Sequence, residues 1–450
     1  MWHEAQLREI SQELEPAKHS FTYTYPPPYR ALRDGECGGV TGKSLQVWRD
    51  FSMYLHVPFC RMNCNFCSLH RQLSRDAEEV EVYLAALRHE VRILDEQIPN
   101  ARLTSLYLGG GTPSMLELGQ VSGLLDQIAA SSAVEVTMEC APDGARDASQ
   151  WRSYLRTLTS RVHLPVSRVS IGVQSWQNRT LRRMGRTGIH TTEDLLRAAD
   201  TFVPSYNVDF VLGYPQAPTT MVEEAHGILR AVDVLRRRGL TLPSVSVYQL
   251  WDVDRIPATR RRADELPGRT LVAEALWHVQ SGLYDRGYGS SAGTTFVRGP
   301  EHRHKWAAHR YRDFRHLGLG SGSYSFLPSG FAQRARNVAG YQRVLADDRI
   351  SWMEVDHALN TVFHLTNDDV EIRRIIGGLR SGSPVALPDP IPSLSSRIDE
   401  ILGKVRRLCE VEVLERQAGT VALAEAAFML TNAVSAFLHP ADCPRKPSRV

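Results

Sequence analysis

The sequence predicts an α/β fold in which six strands and their helices form an open or incomplete parallel barrel. Three observations carry this expectation. From Met53 to about Gln249, short β-branched or apolar runs alternate with longer helical stripes. The six βα units, counting the last helix, occupy roughly 240 residues, a poorer match to a full eightfold barrel. In either architecture ligands meet the C-terminal strand ends, and a triple glycine, Gly109-Gly110-Gly111, follows the second run there.

The expected strands are Met53–Val57, Leu103–Leu108, Val134–Glu139, Ser167–Gln174, Asn207–Leu212 and Ser244–Leu250. Between the first two, Val80, Leu84, Leu87, Val91, Leu94 and Ile98 recur every four or three residues and place one apolar stripe against a sheet. Helical patterns return at Leu116–Ala130, Thr191–Phe202, Thr219–Arg238 and Leu271–Arg286. Residues 1–50 read as an N-terminal arm, because the stretch Phe21–Arg30 is aromatic and proline-rich and the glycines at 35, 38, 39 and 42 are linker-like; such a segment drapes over a core built elsewhere. The barrel is expected over 51–290, a connecting region with the run Gly318–Ser325 over 291–340, and a mainly helical C-terminal domain over 341–450.

Composition narrows the function. A chain of 450 residues with 42% hydrophobic and 23% charged content builds two or three cores, and 53 Lys+Arg against 50 Asp+Glu leaves no concentrated basicity for nucleic acid. No apolar run reaches the roughly 20 residues of a membrane span, and Met1-Trp2-His3-Glu4-Ala5 lacks the order of a secretory signal, so the chain reads as cytoplasmic. Seven cysteines are odd in number and do not read as a disulfide framework. Three of them, Cys60, Cys64 and Cys67, crowd into eight residues after the first strand.

Three thiolates in a loop at a strand's end suit three irons of a [4Fe–4S] cluster, leaving the fourth iron open. The competing reading is structural zinc, which closes its shell with four ligands, and only His70 stands nearby to complete one. Cys37, Cys140, Cys409 and Cys443 have no partner spacing and read as inert thiols. In Gly109-Gly110-Gly111-Thr112-Pro113, glycine permits close backbone approach and lets amides meet a ligand's charged end.

Taken in order, the blocks Tyr54-Leu55-His56-Val57-Pro58-Phe59-Cys60, the Cys-x-x-x-Cys-x-x-Cys loop, Gly109–Pro113, Val136–Glu139, Val169–Ser175, Met184-Gly185-Arg186 and Asn207–Pro215 resemble radical S-adenosylmethionine (SAM) enzymes. The subgroup they resemble is that of oxygen-independent coproporphyrinogen III oxidase (HemN-like), over about residues 20 to 380. The resemblance implies a partial (β/α)6 radical SAM barrel, a HemN-like C-terminal domain, a [4Fe–4S] cluster on Cys60, Cys64 and Cys67, and two SAM molecules. For the first SAM it implies Gly110, Gly111 and Thr112 beside the amino group, Glu139 on the ribose and Arg186 facing the carboxylate. Tyr54, Gln174 and Asp209 match positions lining a second SAM site, and the aromatic Phe66 within the cysteine loop joins the cofactor-binding set. An electron donor such as flavodoxin or ferredoxin is implied as a partner.

Departures from the subgroup's patterns choose among its branches. Porphyrinogen-oxidising members carry a further cysteine two residues after the third, where this chain has Leu69. The heme-trafficking branch resembles a His-Asn-x-x-Tyr-Trp pattern, of which His304-Lys305-Trp306-Ala307-Ala308-His309 keeps the first histidine. The long N-terminal extension is similar to that of class C radical SAM methyltransferases and related cyclopropanases. The expected function is therefore two-SAM methylation, or alternatively cyclopropanation, of an unsaturated, heteroaromatic carbon such as a thiazole or indole in natural-product biosynthesis. A heme chaperone of the HemW type is the alternative of another class, followed by coproporphyrinogen dehydrogenation or heme degradation. Tyr29, His304 and Tyr324 are the candidates for a general base. The expected substrate is a small molecule or peptide, carrier- or leader-bound; the Arg260-Arg261-Arg262 stretch through Arg269 reads either as a grip on an acidic leader or as a solvated loop.

Overall fold

The computed structural model describes residues 49–440 apart from 75, 130–133, 216–220, 251–255, 257–268, 313, 329, 389–394 and 418, together with residues 10, 14, 36, 37 and 45. Tyr29, the proline-rich stretch and Arg260–Arg262 lie outside the described residues.

Six βα units follow one another as expected. They are β1 (Asp50–Val57), α1 (Ala77–Gln97), β2 (Arg102–Gly110), α2 (Leu118–Leu125), β3 (Glu135–Cys140), α3 (Ala148–Ser160), β4 (Arg168–Gln174), α4 (Ile189–Phe202), β5 (Ser205–Leu212), α5 (Met221–Arg237), β6 (Ser244–Gln249) and α6 (Arg269–Tyr284). Each strand pairs in parallel with the next. The chain then adds β7 (Thr295–Val297), α7 (Lys305–Arg312), β8 (His316–Leu319), β9 (Tyr324–Leu327), β10 (Gly330–Arg334) and β11 (Asn360–His364). β7 pairs antiparallel with β6, and the two-residue strand Gly289–Ser290 pairs with β7 to form one edge. On the other side β8 lies parallel to β1, β9, β10 and β11 continue antiparallel, and Glu36–Cys37 pairs with β11 at the edge, so among the described residues one sheet of 13 strands runs through barrel and connecting region alike.

Alternation along the strands divides the layers. Phe51, Met53, Leu55, Leu106, Leu108, Val136, Met138, Val169, Ile171, Val208, Phe210, Val245 and Val247 belong to one buried apolar core with the helix faces. Their alternating neighbours form the polar set Ser52, Tyr54, His56, Ser105, Tyr107, Glu135, Thr137, Glu139, Arg168, Ser170, Asn207, Asp209, Ser244 and Ser246, which lines the barrel's inner face. Helix α3, which the sequence reading did not anticipate, buries Trp151, Tyr154, Leu155 and Leu158 and starts on a capping box between Asp147 and Gln150.

A second core lies in the C-terminal region, where α8 (Asn367–Arg380) and α9 (Ser396–Glu410) pack Ile372, Ile375, Ile376, Ile401, Val405 and Leu408 against a three-stranded sheet. Ile10 and Leu14 of the N-terminal segment join that core. No helix among the described residues is long and apolar enough to cross a membrane.

Candidate functional site

The three cysteines sit where β1 ends. Cys60 and Cys64 are buried and Cys67 is half-buried, all as free thiols. The Thr112 hydroxyl donates to Cys60 Sγ at 3.4 Å and Arg186 Nη1 lies 3.6 Å from Cys64 Sγ. Structural zinc takes four ligands, and among the described residues no group of three or more His, Cys, Asp or Glu side chains is arranged around a single ion. Soft thiol donors beside the cations Arg71 and Arg186 fit a [4Fe–4S] cluster, in which each thiolate serves a different iron.

The triple glycine is there because nothing larger fits. A Cβ on Gly109 would lie 2.9 Å from the Tyr54 ring and 3.0 Å from the Glu139 carboxyl carbon, one on Gly110 would strike the His56 ring, and one on Gly111 would lie 2.4 Å from the Phe59 carbonyl oxygen. Gly110 also has φ of 114°, a backbone state that favours glycine. The amides of this turn are already engaged: Gly110 N–H donates to Glu139 Oε2 at 3.0 Å, Gly111 N–H to Val57 O at 2.7 Å and Thr112 N–H to Phe59 O at 2.8 Å. The turn therefore holds the cysteine loop, rather than presenting free amides to a ligand as the sequence reading expected. Gly185 serves the same loop, since a Cβ there would lie 2.9 Å from the Asn63 carbonyl oxygen.

Inside the barrel, Glu139 also accepts from Tyr107 Oη at 2.9 Å, and burial pushes its carboxyl up to about 7. Asp209 accepts from Ser170 Oγ and Asn207 Nδ2, each at 2.7 Å, and burial pushes it up to about 6. Gln174 has a positive φ of 71° at a register shift between β4 and β5, so strain marks this strand end. Arg186 donates to the Gly172 carbonyl. Tyr54 stacks on Tyr107 with ring centroids 5.8 Å apart, and its hydroxyl lies 3.3 Å from His56 Nδ1. Since His56 Nε2 is bonded to the His70 carbonyl at 2.9 Å, Nε2 carries the proton and Nδ1 accepts from Tyr54. Phe66 packs against Met184, Val211, Tyr214 and Ile256, beside the loop.

The opposite end of the barrel is plugged. Lys305 and Trp306 donate their backbone N–H groups to Glu135 at 3.3 and 3.2 Å, Arg168 donates to Ser205, Ser244 and the His302 carbonyl, and Trp306 packs 4.5 Å from the Tyr107 ring. His304 belongs to this floor: its Nε2 is 3.2 Å from Thr137 Oγ1, and burial holds its ring well below the usual imidazole range. The Tyr324 hydroxyl accepts from Arg336 Nη2 at 3.0 Å, and its ring stacks on Phe331. The structure thus gathers the cysteines, Gly110–Thr112, Glu139, Gln174, Arg186, Asp209 and Tyr54 around one barrel and places His304 at its far end. Tyr107, His56 and Arg168 were missed by the sequence reading; the period-two polar alternation within otherwise apolar strands is the signal that would have found them.

The radical SAM superfamily matches residues 54–246. The chain is 27% identical over 312 residues to the heme chaperone HemW of Haemophilus influenzae, covering 65% of this chain and 76% of that protein. It is 28% identical over 337 residues to the oxygen-independent coproporphyrinogen III oxidase of Cereibacter sphaeroides, covering 68% and 69%. Among solved structures, coproporphyrinogen III oxidase (HemN) from Escherichia coli superposes with a TM-score of 0.70 at 21% identity, over 93% of this chain and 96% of that one, a likeness of fold. These relatives are heme chaperones and porphyrinogen oxidases, which overturns the expectation of class C methyl transfer, and of cyclopropanation, in natural-product biosynthesis. Length before the cysteine block was a poor guide because an N-terminal extension says nothing about the barrel's chemistry. The match to the radical SAM superfamily implies a [4Fe–4S] cluster and SAM, which the residues around this barrel fit. Residues 54–246 thus match the radical SAM superfamily, the fold is the α/β radical SAM fold, and the relatives are of the HemN and HemW kind.

Proposed function

We propose that this protein binds heme, in the manner for which the HemW chaperones are named, on a radical SAM platform. The observation that carries the reading is the match to those chaperones, from Haemophilus influenzae and, at 29% identity over 296 residues, from Escherichia coli. Leu69 supports it, standing half-exposed where the porphyrinogen-oxidising pattern has cysteine.

When bound, the cluster and SAM supply one-electron chemistry. The chain's own residues position and shield: Thr112 and Arg186 steady the thiols, the engaged glycine turn fixes the loop, and the floor of Glu135, Arg168, His304 and Trp306 excludes water from one end. Tyr54, Gln174 and Asp209 are proposed to line a second SAM site beside Glu139, and equilibrium dialysis of the cluster-loaded protein tests this, with two SAM per chain expected and one refuting it. His304 is bonded into the floor, so it does not serve as the heme ligand.

Titration with hemin, followed by absorbance, should saturate at one equivalent in both the parent protein and His304→Ala. Conversion of coproporphyrinogen III to protoporphyrinogen IX by the reduced protein with SAM, without stoichiometric hemin binding, would overturn the proposal in favour of the oxidase.

A further inference from the structure

The floor of the barrel has donors left over. Among the described residues, Ser105 Oγ on β2 and Trp306 Nε1 and Arg310 Nε on α7 are buried atoms without a hydrogen-bond partner. Ser105 is fully buried and Trp306 is only 8% exposed. A buried donor left unmatched forfeits its bonds to water, so three in one place call for a shared acceptor. All three border one ring. Ser105 sits between its register partners Ser52 on β1 and Glu135 on β3. The Trp306 indole lies across these strands: its backbone N–H donates to Glu135 Oε1 at 3.2 Å, its ring centroid is 4.5 Å from that of Tyr107, two residues on from Ser105, and it meets His316 edge-on at 5.3 Å. His316 Nδ1 in turn is 3.0 Å from Ser52 Oγ. One helical turn after Trp306, the Arg310 guanidinium carbon lies 5.1 Å from the indole and 5.0 Å from the Phe326 ring.

Charge at this place is one-sided. Arg168, the floor's other guanidinium, has Glu135 as its opposite charge, and Glu135 already accepts from the Lys305 and Trp306 N–H groups. Arg310 is in no ion pair among the described residues, and its charge reaches both the His316 ring and the Tyr54 hydroxyl. Two aromatic faces attract the guanidinium, yet they leave its Nε–H unbonded. A half-buried cation with unmatched N–H groups around it is the setting in which a counter-ion gains both charge and hydrogen bonds.

We propose that Ser105, Trp306 and Arg310 hold a small monovalent anion of chloride size in the barrel floor. The hydroxyl, the indole N–H and the guanidinium N–H all donate, and a spherical anion accepts from several directions at once. A water molecule in the same place would accept from two of them and leave the Arg310 charge unmatched. The bound ion ties α7 to β2 and cancels the guanidinium field at Tyr54, on the other side of the indole. No covalent bond changes and no electron moves. The site is independent of heme, SAM and the cysteines, so it survives a negative hemin titration.

The test compares the full, cluster-loaded chain in sodium chloride, bromide and gluconate at an equal ionic strength of about 0.1 M. A site with a dissociation constant of about 1 mM is filled about a hundredfold beyond that constant there, which in a chain this long raises the Tm by roughly 3 °C in chloride or bromide over gluconate. Arg310→Met keeps an apolar stem against the rings and should lose this increment. Trp306→Phe keeps a ring without its N–H and should need at least about fivefold more chloride for the same shift. Crystals grown in bromide locate the ion directly: an anomalous peak is expected among Ser105 Oγ, Trp306 Nε1 and Arg310 Nε in the parent, and none in Arg310→Met. An equal Tm of the parent in chloride and gluconate would overturn the proposal. So would an ordered water in place of bromide between these donors, or a bromide peak that Arg310→Met retains.

Discussion

Replacing Glu90 with glutamine tests what joins α1 to β10 and the segments beside it. Glu90, on α1, is fully buried; its Oε2 accepts from the Gly320 N–H at 2.8 Å and the Tyr341 hydroxyl at 2.6 Å, and its Oε1 lies 2.7 Å from Arg334 Nη2. The last contact is short but off the hydrogen-bond line, and Arg334 Nε and Nη1 also lack aligned acceptors, with Asp356 Oδ1 3.7 Å away. In Glu90→Gln one amide oxygen keeps the two donors, while the amide nitrogen faces a guanidinium only 3% exposed. Removing one partner of a buried pair costs about 3–5 kcal/mol, and the imperfect alignment puts this case near 3 kcal/mol. Scaled by the usual unfolding entropy per residue, about 3 kcal/mol lowers the Tm of a chain this long by roughly 3 °C if it melts as one unit. Thermal and urea unfolding at matched protein concentration measure it. Arg334→Met in the same chain should recover at least about 1 kcal/mol, because the stranded charge is gone. A single-variant cost below about 1 kcal/mol, or strictly additive losses in the double variant, would refute the reasoning.

Other outcomes follow from the site. Alanine at Cys60, Cys64 or Cys67 should leave the reconstituted protein nearly free of iron and sulfide, whereas Cys140→Ala, whose thiol lies buried on β3, should load fully; colorimetric iron analysis decides. Gly111→Ala drives a methyl group into the Phe59 carbonyl and should cut cluster loading by more than about half, while Gly119→Ala, with nothing within 4 Å of the new carbon, should load normally. SAM binding measured with labelled SAM should weaken as pH falls through about 7, because Glu139 accepts hydroxyl donors only after losing its proton. Glu139→Gln should bind more weakly and show a flatter profile; an unchanged profile would remove Glu139 from the SAM contacts.

The six barrel strands were legible to within a few residues because each alternates, or runs apolar, against a helix layer. Ser167–Gln174 was expected, for example, and Arg168–Gln174 was found. The cysteines and the glycine turn were legible because their spacing is local. Helix α3 was not, since its four buried residues are separated by arginine, serine and threonine and its apolar stripe is narrow. The floor was equally hidden: His304 meets Thr137 across 167 residues and Lys305 meets Glu135 across 170, and no local pattern encodes such partners. His304 therefore stood out in the sequence for a histidine's versatility, while the structure gives it a neutral, bonded place.

The pairing of β8 with β1 has a consequence for how the chain comes to be. β1 leads into the cysteines and is the first barrel strand to leave the ribosome, yet Ser52 bonds to His316, 264 residues later. Until then the strand beside the cysteine loop has a naked edge, a template for aggregation that a barrel expressed alone over residues 51–290 would keep permanently. The same delay leaves the thiols approachable from that side during synthesis. A chain truncated before residue 316 should therefore accumulate in inclusion bodies, however complete its cysteine and glycine motifs.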